Sequence, residues 1–190
     1  MKNSIIIPHF DPDNKMTGYL DRCLASIKKN SVDYEIILID SLKSYSENVN
    51  LGLKKSKGDF IVVLNNDTEI KDKKWLEKLY TKSKISSWRL ELHTFYIPQI
   101  LKLIPDGSCW GMPREVFNKL GYLDEIFSEG YGFEDTDYWM RAKKIGIKFK
   151  DAKVNMIHYK NKTFNTYFDN DFIFQRNHNE NLFLEKYKLI

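Results

Sequence analysis

Residues 60–68 read FIVVLNNDT, a run of apolar, β-prone side chains that stops abruptly at two asparagines and an aspartate. Such a run is a buried strand that delivers amide and acidic side chains at its carboxyl end. In an open α/β sheet, ligands bind in the crevice beyond the carboxyl ends of the strands, so Asn65, Asn66 and Asp67 stand where a site would be built. A second acidic cluster, Gly132-Phe133-Glu134-Asp135-Thr136-Asp137, opens a later helix. Together they point to a metal-assisted enzyme that handles a phosphorylated substrate.

The flanking segments set this strand in an alternating pattern. Ser4 to Ile7 reads as a short apolar strand ended by Pro8, and the polar loop His9 to Lys15 follows it. Thr17 to Lys29 is an amphipathic helix, Glu35 to Ile39 a strand ending in Asp40, and Val49, Leu53 and Lys57-Gly58 suggest a short helix with a glycine stop. This β-α-β-α-β order implies a parallel sheet and a nucleotide-binding type of architecture. Further on, Trp75 to Lys82 looks helical and Arg89 to Ile97 extended. Pro113 suits the first position of a helix through Leu120, with Gly121 as its stop. Glu134 to Ile145 begins with acids, ends with Arg141, Lys143 and Lys144, and stops at Gly146, as the helix dipole prefers. Val154 to His158 reads as a strand and Phe172 to Tyr187 as a terminal helix.

Composition narrows the class. A chain of 190 residues, 42% apolar and 29% charged, can bury one core and is expected to form one domain. The net charge of +4 is spread over many lysines, which does not imply a nucleic-acid partner. The densest patch, Lys71, Lys73, Lys74, Lys78, Lys82 and Lys84, is most simply a solvated helix face rather than a phosphate or lipid surface. Cys23 and Cys109 are the only cysteines, with no zinc-like spacing, which favours a reducing compartment. Ile5-Ile6-Ile7 is too short for a signal sequence and no stretch is long enough to span a bilayer, so a soluble, cytoplasmic protein is expected.

Each candidate residue also has a plainer reading. Asp67 with Asn66 offers hard oxygen ligands to Mg²⁺ or Mn²⁺, yet Asn-Asn-Asp after a strand is also turn chemistry. Asp40 could accept hydrogen bonds from a ribose or a base, or close an Asp-Ser turn. Glu134, Asp135 and Asp137 suit a helix start, while one of them could serve as a general base. Gly130 and Gly132 would let that loop close over a substrate. His158 could ligate a metal or meet a phosphate, although a lone histidine at the end of a strand is more often structural. His9, His93 and His178 have no partner that the residues themselves identify.

Taken in order, SIIIP, EIILID, NLGLKKSKGDFIVVLNNDTEI, GSCWGMPREVFNKLGYLDEIF, GFEDTDYWMRAKKIGIKF and VNMIHY resemble the family 2 glycosyltransferases, the large inverting group with the GT-A fold. The resemblance runs from Ser4 to about His158. It implies a nucleotide-diphospho-sugar transferase, Rossmann-like, with a mixed, mainly parallel sheet flanked by helices. Residues 1–68 would form the donor-binding half, 69–160 the acceptor and catalytic half, and 161–190 a C-terminal helical segment. It also implies roles. Pro8 and His9 would lie at the donor site, Asp40 would bind a uracil or thymine base, and Asn66 and Asp67 would hold Mn²⁺ or Mg²⁺ on the diphosphate, with His158 completing the metal site. Asp135 would be the catalytic base and Glu134 a contact to the acceptor hydroxyl. Gly107, Ser108 and Trp110 would line the sugar pocket, with Trp110 stacking on a sugar ring. The donor would be UDP- or dTDP-linked and the acceptor a glycan or a lipid-linked molecule; the LNNDT form resembles members that transfer rhamnose or related sugars to polysaccharides.

The chain also departs from the family. The turn after Asp40, SLKSYSENVN, is short and lacks the usual acidic and glycine-rich residues, and Asn65 stands where the metal motif usually has an aspartate. The segment from Thr68 to Asp106 is short, so the acceptor site is either open or completed by another chain, for instance in a homo-oligomer. Two other readings compete. A nucleotidyltransferase would need a Gly/Arg/Lys-rich loop after the first strand, which HFDPDNK does not supply. A degenerate sugar- or nucleotide-binding domain that needs a partner would suit the short loops but not the retention of both Asp67 and Asp135.

Overall fold

The computed structural model describes residues 2–92, 103–130, 132–160, 162–167 and 172–189. Strand β1 (Asn3–His9) leads through helix α1 (Thr17–Asn30) to β2 (Tyr34–Asp40), then through α2 (Tyr45–Lys55) to β3 (Phe60–Leu64), in the expected alternating order. Next come β4 (Thr68–Ile70), α3 (Trp75–Leu79), β5 (Ile85–Ser87), β6 (Leu90–Leu92), β7 (Leu103–Pro105), β8 (Cys109–Pro113) and α4 (Arg114–Leu120). A 3₁₀ turn at Glu125–Glu129 precedes α5 (Glu134–Lys144), β9 (Phe149–Asp151), β10 (Met156–His158), α6 (Lys162–Tyr167) and α7 (Phe172–Lys186).

Six strands form the main sheet in the order β2-β1-β3-β8-β5-β9. β1 runs parallel to β2 and β3, β9 runs parallel to β5, and β8 alone opposes its neighbours, so the sheet is mixed and mainly parallel as expected. Alternation along the strands splits the core. Ile6, Ile61, Val63, Trp110 and Met112 face α2, α4, α5 and α7, whereas Ile5, Ile7, Val62, Leu64 and Cys109 face α1 and α3. β1 and β3 are buried on both faces, which is why they read as unbroken apolar runs.

Several boundaries differ from the sequence reading, each for a local reason. β1 continues through Pro8 to His9, because the pairing with β3 ends at Ile6↔Val63 and the sheet has only β2 as a neighbour there. Gly58 is not a helix stop. α2 ends at Lys55, and a Cβ on Gly58 would lie 2.6 Å from the Ser4 nitrogen and 2.7 Å from the Lys2 carbonyl oxygen, so the glycine lets β1 and the start of β3 close up. α3 is one turn shorter than expected, and β10 is confined to Met156–His158. Pro113 caps α4 rather than opening it, while Gly121 (φ 80°) and Gly146 (φ 79°) do end their helices in the left-handed region. Of the extended segment expected over 89–97, Leu90–Leu92 is a strand and Arg89 precedes it; residues 93–97, His93 included, lie outside the described residues, as does Pro98.

α7 closes one side of the fold by packing Phe183 into the core and by a buried amide. Asn179 donates to the carbonyls of Phe127 (2.9 Å) and Gly132 (2.8 Å), tying the helix to the loop that opens α5. Replacing Asn179 by alanine removes both of these hydrogen bonds, a loss of about 1–3 kcal/mol. Urea denaturation of Asn179→Ala should show a lower midpoint at unchanged slope.

Candidate active site

The polar ends of the strands open on one cleft of about 910 Å³. Its floor is the turn after β3. Asn65 N–H donates to the Ser108 carbonyl (2.8 Å) and Thr68 Oγ1 to the Asn65 carbonyl (2.7 Å), which reverses the chain and leaves Asn66 and Asp67 at the cleft, each 4% exposed. β10 pairs with β4 so that His158 lies opposite Thr68, and its Nε2 sits 3.3 Å from Asp67 Oδ1. Two backbone bonds complete the frame: Tyr159 N–H to the Asp67 carbonyl (2.9 Å) and Lys162 N–H to Asp67 Oδ2 (3.4 Å). At the end of β1, His9 Nδ1 and Asn66 Nδ2 are 2.7 Å apart.

The opposite wall carries the second acidic group. Gly132 (φ 76°) and Phe133 (φ 71°) are both left-handed, an uncommon conformation for phenylalanine, which the Phe133–Phe183 ring contact at 5.3 Å helps to hold. This sharp entry presents Glu134 and Asp135 to the cleft at the start of α5. Burial and the charge of Asp135 push the Glu134 carboxyl up to about 8. Burial also raises Asp135, and the charge of Asp106 adds to it, although Thr136 N–H (2.6 Å) and Oγ1 (3.3 Å) both donate to Asp135 Oδ1 and favour its ionised form. Both carboxyls are thus held above their usual range, while the Thr136 bonds favour the ionised form of Asp135.

Between the walls lies the turn Asp106-Gly107-Ser108. Asp106 accepts from Ser108 N–H (2.8 Å) and Oγ (2.5 Å) and pairs with Arg89 (2.9 Å). Burial raises this carboxyl, but the Ser108 and Arg89 bonds outweigh it and hold Asp106 below the usual range. Gly107 leaves room for the Asp135 carboxylate in its present position, since a Cβ there would lie 2.5 Å from Asp135 Oδ2 and displace it. Tyr45, at the first turn of α2, donates to the Gly107 carbonyl (3.2 Å).

The structure thus brings Pro8, His9, Asn66 and Asp67 into one cleft with Gly107, Ser108, Glu134, Asp135 and His158. Two candidates fall elsewhere. Trp110 is 1% exposed and packed edge-on against Trp139 at 5.1 Å, so it cannot stack on a sugar; its position in β8, opposite Val63, turns it into the core. Asp40 pairs with His9 in register but its side chain is exposed and outside the cleft lining. Among the cleft residues that were not anticipated are Tyr45, Arg89 and Asp106. Asp106 sits between proline and glycine and reads as a turn, and Arg89 adjoins an apolar stretch, so only their spatial meeting reveals them.

At the β3 end of the cleft Asp67 and Asn66 present carboxylate and amide groups, whose oxygens are the kind that suit Mg²⁺ or Mn²⁺, with the His158 imidazole beside them. Among the described residues, Asn65 Oδ1 and His158 Nδ1 are buried without a hydrogen-bond partner, a deficit of the kind that ligand binding relieves. No group of three or more His, Cys, Asp or Glu side chains among the described residues could cage a metal alone, so most of the shell would come from phosphate oxygens and water. No helix among the described residues is long and apolar enough to cross a membrane.

Comparison with known proteins bears on this arrangement. Residues 42–85 match the family model described as glycosyl transferase family 2. No curated protein matches the chain. Among solved structures, the catalytic domain of Drosophila beta1,4galactosyltransferase 7 in complex with xylobiose is similar with a TM-score of 0.61 and 15% identity, over 85% of this chain and 72% of that one. A mutant of that enzyme, in complex with manganese, UDP-Gal and xylobiose, is similar with a TM-score of 0.61 and 13% identity, over 86% of this chain and 73% of that one. The mannosyltransferase PcManGT from Pyrobaculum calidifontis, in complex with GDP-Man and Mn²⁺, is similar with a TM-score of 0.59 and 13% identity, over 78% of this chain and 54% of that one. The chain has the GT-A glycosyltransferase fold, and its residues 42–85 are similar to glycosyl transferase family 2.

Proposed function

We propose that the chain transfers a sugar from a UDP- or dTDP-linked donor to a hydroxyl of a glycan or lipid-linked acceptor, with inversion at the anomeric carbon. One observation carries this reading: a single cleft has Asp67 and His158 on one side and the adjacent carboxyls of Glu134 and Asp135 on the other. The similar enzymes complexed with Mn²⁺ and with UDP-Gal or GDP-Man support it.

In this reading Asp135 takes the proton of the acceptor hydroxyl as that oxygen attacks the anomeric carbon in line and the bond to the nucleoside diphosphate breaks. Glu134, neutral, donates its own proton in a hydrogen bond to the acceptor and leaves the basic role to Asp135. Gly107 allows the acceptor to reach Asp135, because any side chain there would occupy the space beside its Oδ2. Asn66, Asp67 and His158 would hold Mn²⁺ or Mg²⁺, which would offset the charge of the departing diphosphate.

Three measurements check the proposal. Mn²⁺ with UDP or dTDP should raise the melting temperature of the wild type and not of Asp67→Ala; no shift with any nucleotide would overturn the donor assignment. Asp135→Asn should lower kcat by about 10²–10⁴-fold while nucleotide binding persists. The third is a pH dependence. Glu134 binds its proton more tightly in the folded chain than in the unfolded one, where the group titrates near 4.5, so the associated stability is complete below that value and is lost as pH rises through about 8. Glu134→Gln should therefore melt higher than the wild type at pH 9, and the gap should close by pH 4 in a calorimetric series.

A further inference from the structure

The pairing between β1 and β3 ends at Ile6↔Val63, and beyond it Asn66 Nδ2 lies 2.7 Å from His9 Nδ1 at the cleft. An amide nitrogen only donates, so Nδ1 must offer its lone pair and the ring proton must sit on Nε2. That nitrogen faces Asp11 Oδ2 at 3.7 Å. Asp11 is itself anchored by Met16 N–H (3.0 Å), Thr17 Oγ1 (3.4 Å) and the hydroxyl of Tyr167 in α6. The His9 and Asp11 side chains are 5% and 3% exposed, so the row is shut away from water.

Resting on the donor-site reading above, we propose that His9 is a positioning residue for the cation end of the cleft. An amide has nearly the same shape either way round but exchanges a donor for an acceptor when it flips. Next to Asp67, a cation favours the amide oxygen and is repelled by the amide nitrogen. By holding the nitrogen, His9 turns the Asn66 oxygen away from its own ring, and Asp11 keeps His9 in the tautomer that can do so. Packing alone would be served by an apolar pair, which would not carry the desolvation cost of an imidazole and an amide buried together.

The test follows free Mn²⁺ by electron paramagnetic resonance as it is titrated into protein with UDP. Wild type, Asp67→Ala, His9→Leu and His9→Asn are compared, together with the ¹⁵N–¹H spectrum of the wild-type His9 ring. The expected result is Mn²⁺ uptake by the wild type that weakens by about 10–100-fold in His9→Leu and is largely recovered in His9→Asn, which keeps an acceptor near Nδ1. The ring should carry its proton on Nε2. If His9→Leu does not fold, Asp11→Asn leaves the ring in place and should weaken uptake in the same sense. Uptake by His9→Leu, or by Asp11→Asn in its stead, equal to that of the wild type, or a proton on Nδ1, overturns the inference while the donor site stands. A wild type that takes up no Mn²⁺ with UDP overturns both.

Discussion

The parallel pairing of β1 with β3 is the constraint on which the rest of the molecule depends. Both strands are inaccessible to water on both faces, and their register, Asn3↔Phe60 to Ile6↔Val63, sends alternate residues to two different helical layers. A slip of one residue would exchange the two cores, so the register admits no alternative. Once it is set, the chain must leave the sheet at Leu64, and the polar turn that follows has one place to go. Asn66 and Asp67 are at the cleft because the strands beneath them are too apolar to end anywhere else.

Much of this was legible in the residues. The apolar runs of β1 and β3, the acidic start and basic finish of α5, and the glycines after α4 and α5 each state their structure locally, through burial, dipole and backbone freedom. What was not legible depends on partners distant in sequence. Pro8 looked like the end of a strand, but the absence of β3 at that level removes the objection to proline. Gly58 looked like a helix stop and instead makes room for the backbone of Lys2 and Ser4. Trp110 looked like a sugar platform beside a Gly-Ser turn, yet strand alternation commits its ring to the core. Tyr45, Arg89, Asp106 and Asn179 could not be placed at all until the sheet order was known.

The acidic wall illustrates how a site of this kind conflicts with stability. Glu134 and Asp135 are adjacent, poorly hydrated and near Asp106, so each added negative charge works against the folded state. The chain accommodates them by hydrogen-bonding Asp135 through Thr136 and by tying Asp106 to Arg89 and Ser108. A left-handed phenylalanine holds the turn that brings them together. The strain and the charge are local, and the well-packed halves of the core on either side of the sheet support them.

The cleft is finished by the last part of the chain. His158 and Lys162 brace Asp67, Tyr167 anchors Asp11, and Asn179 ties down the loop before Glu134. During synthesis the sheet strands emerge first, and domains are made from the N-terminus at about 5–20 residues per second. For some seconds a nascent chain can hold the central strands β1 and β3 without the groups that shape the site. The cleft is in this sense completed late in the synthesis of each molecule, after the strands that form its floor.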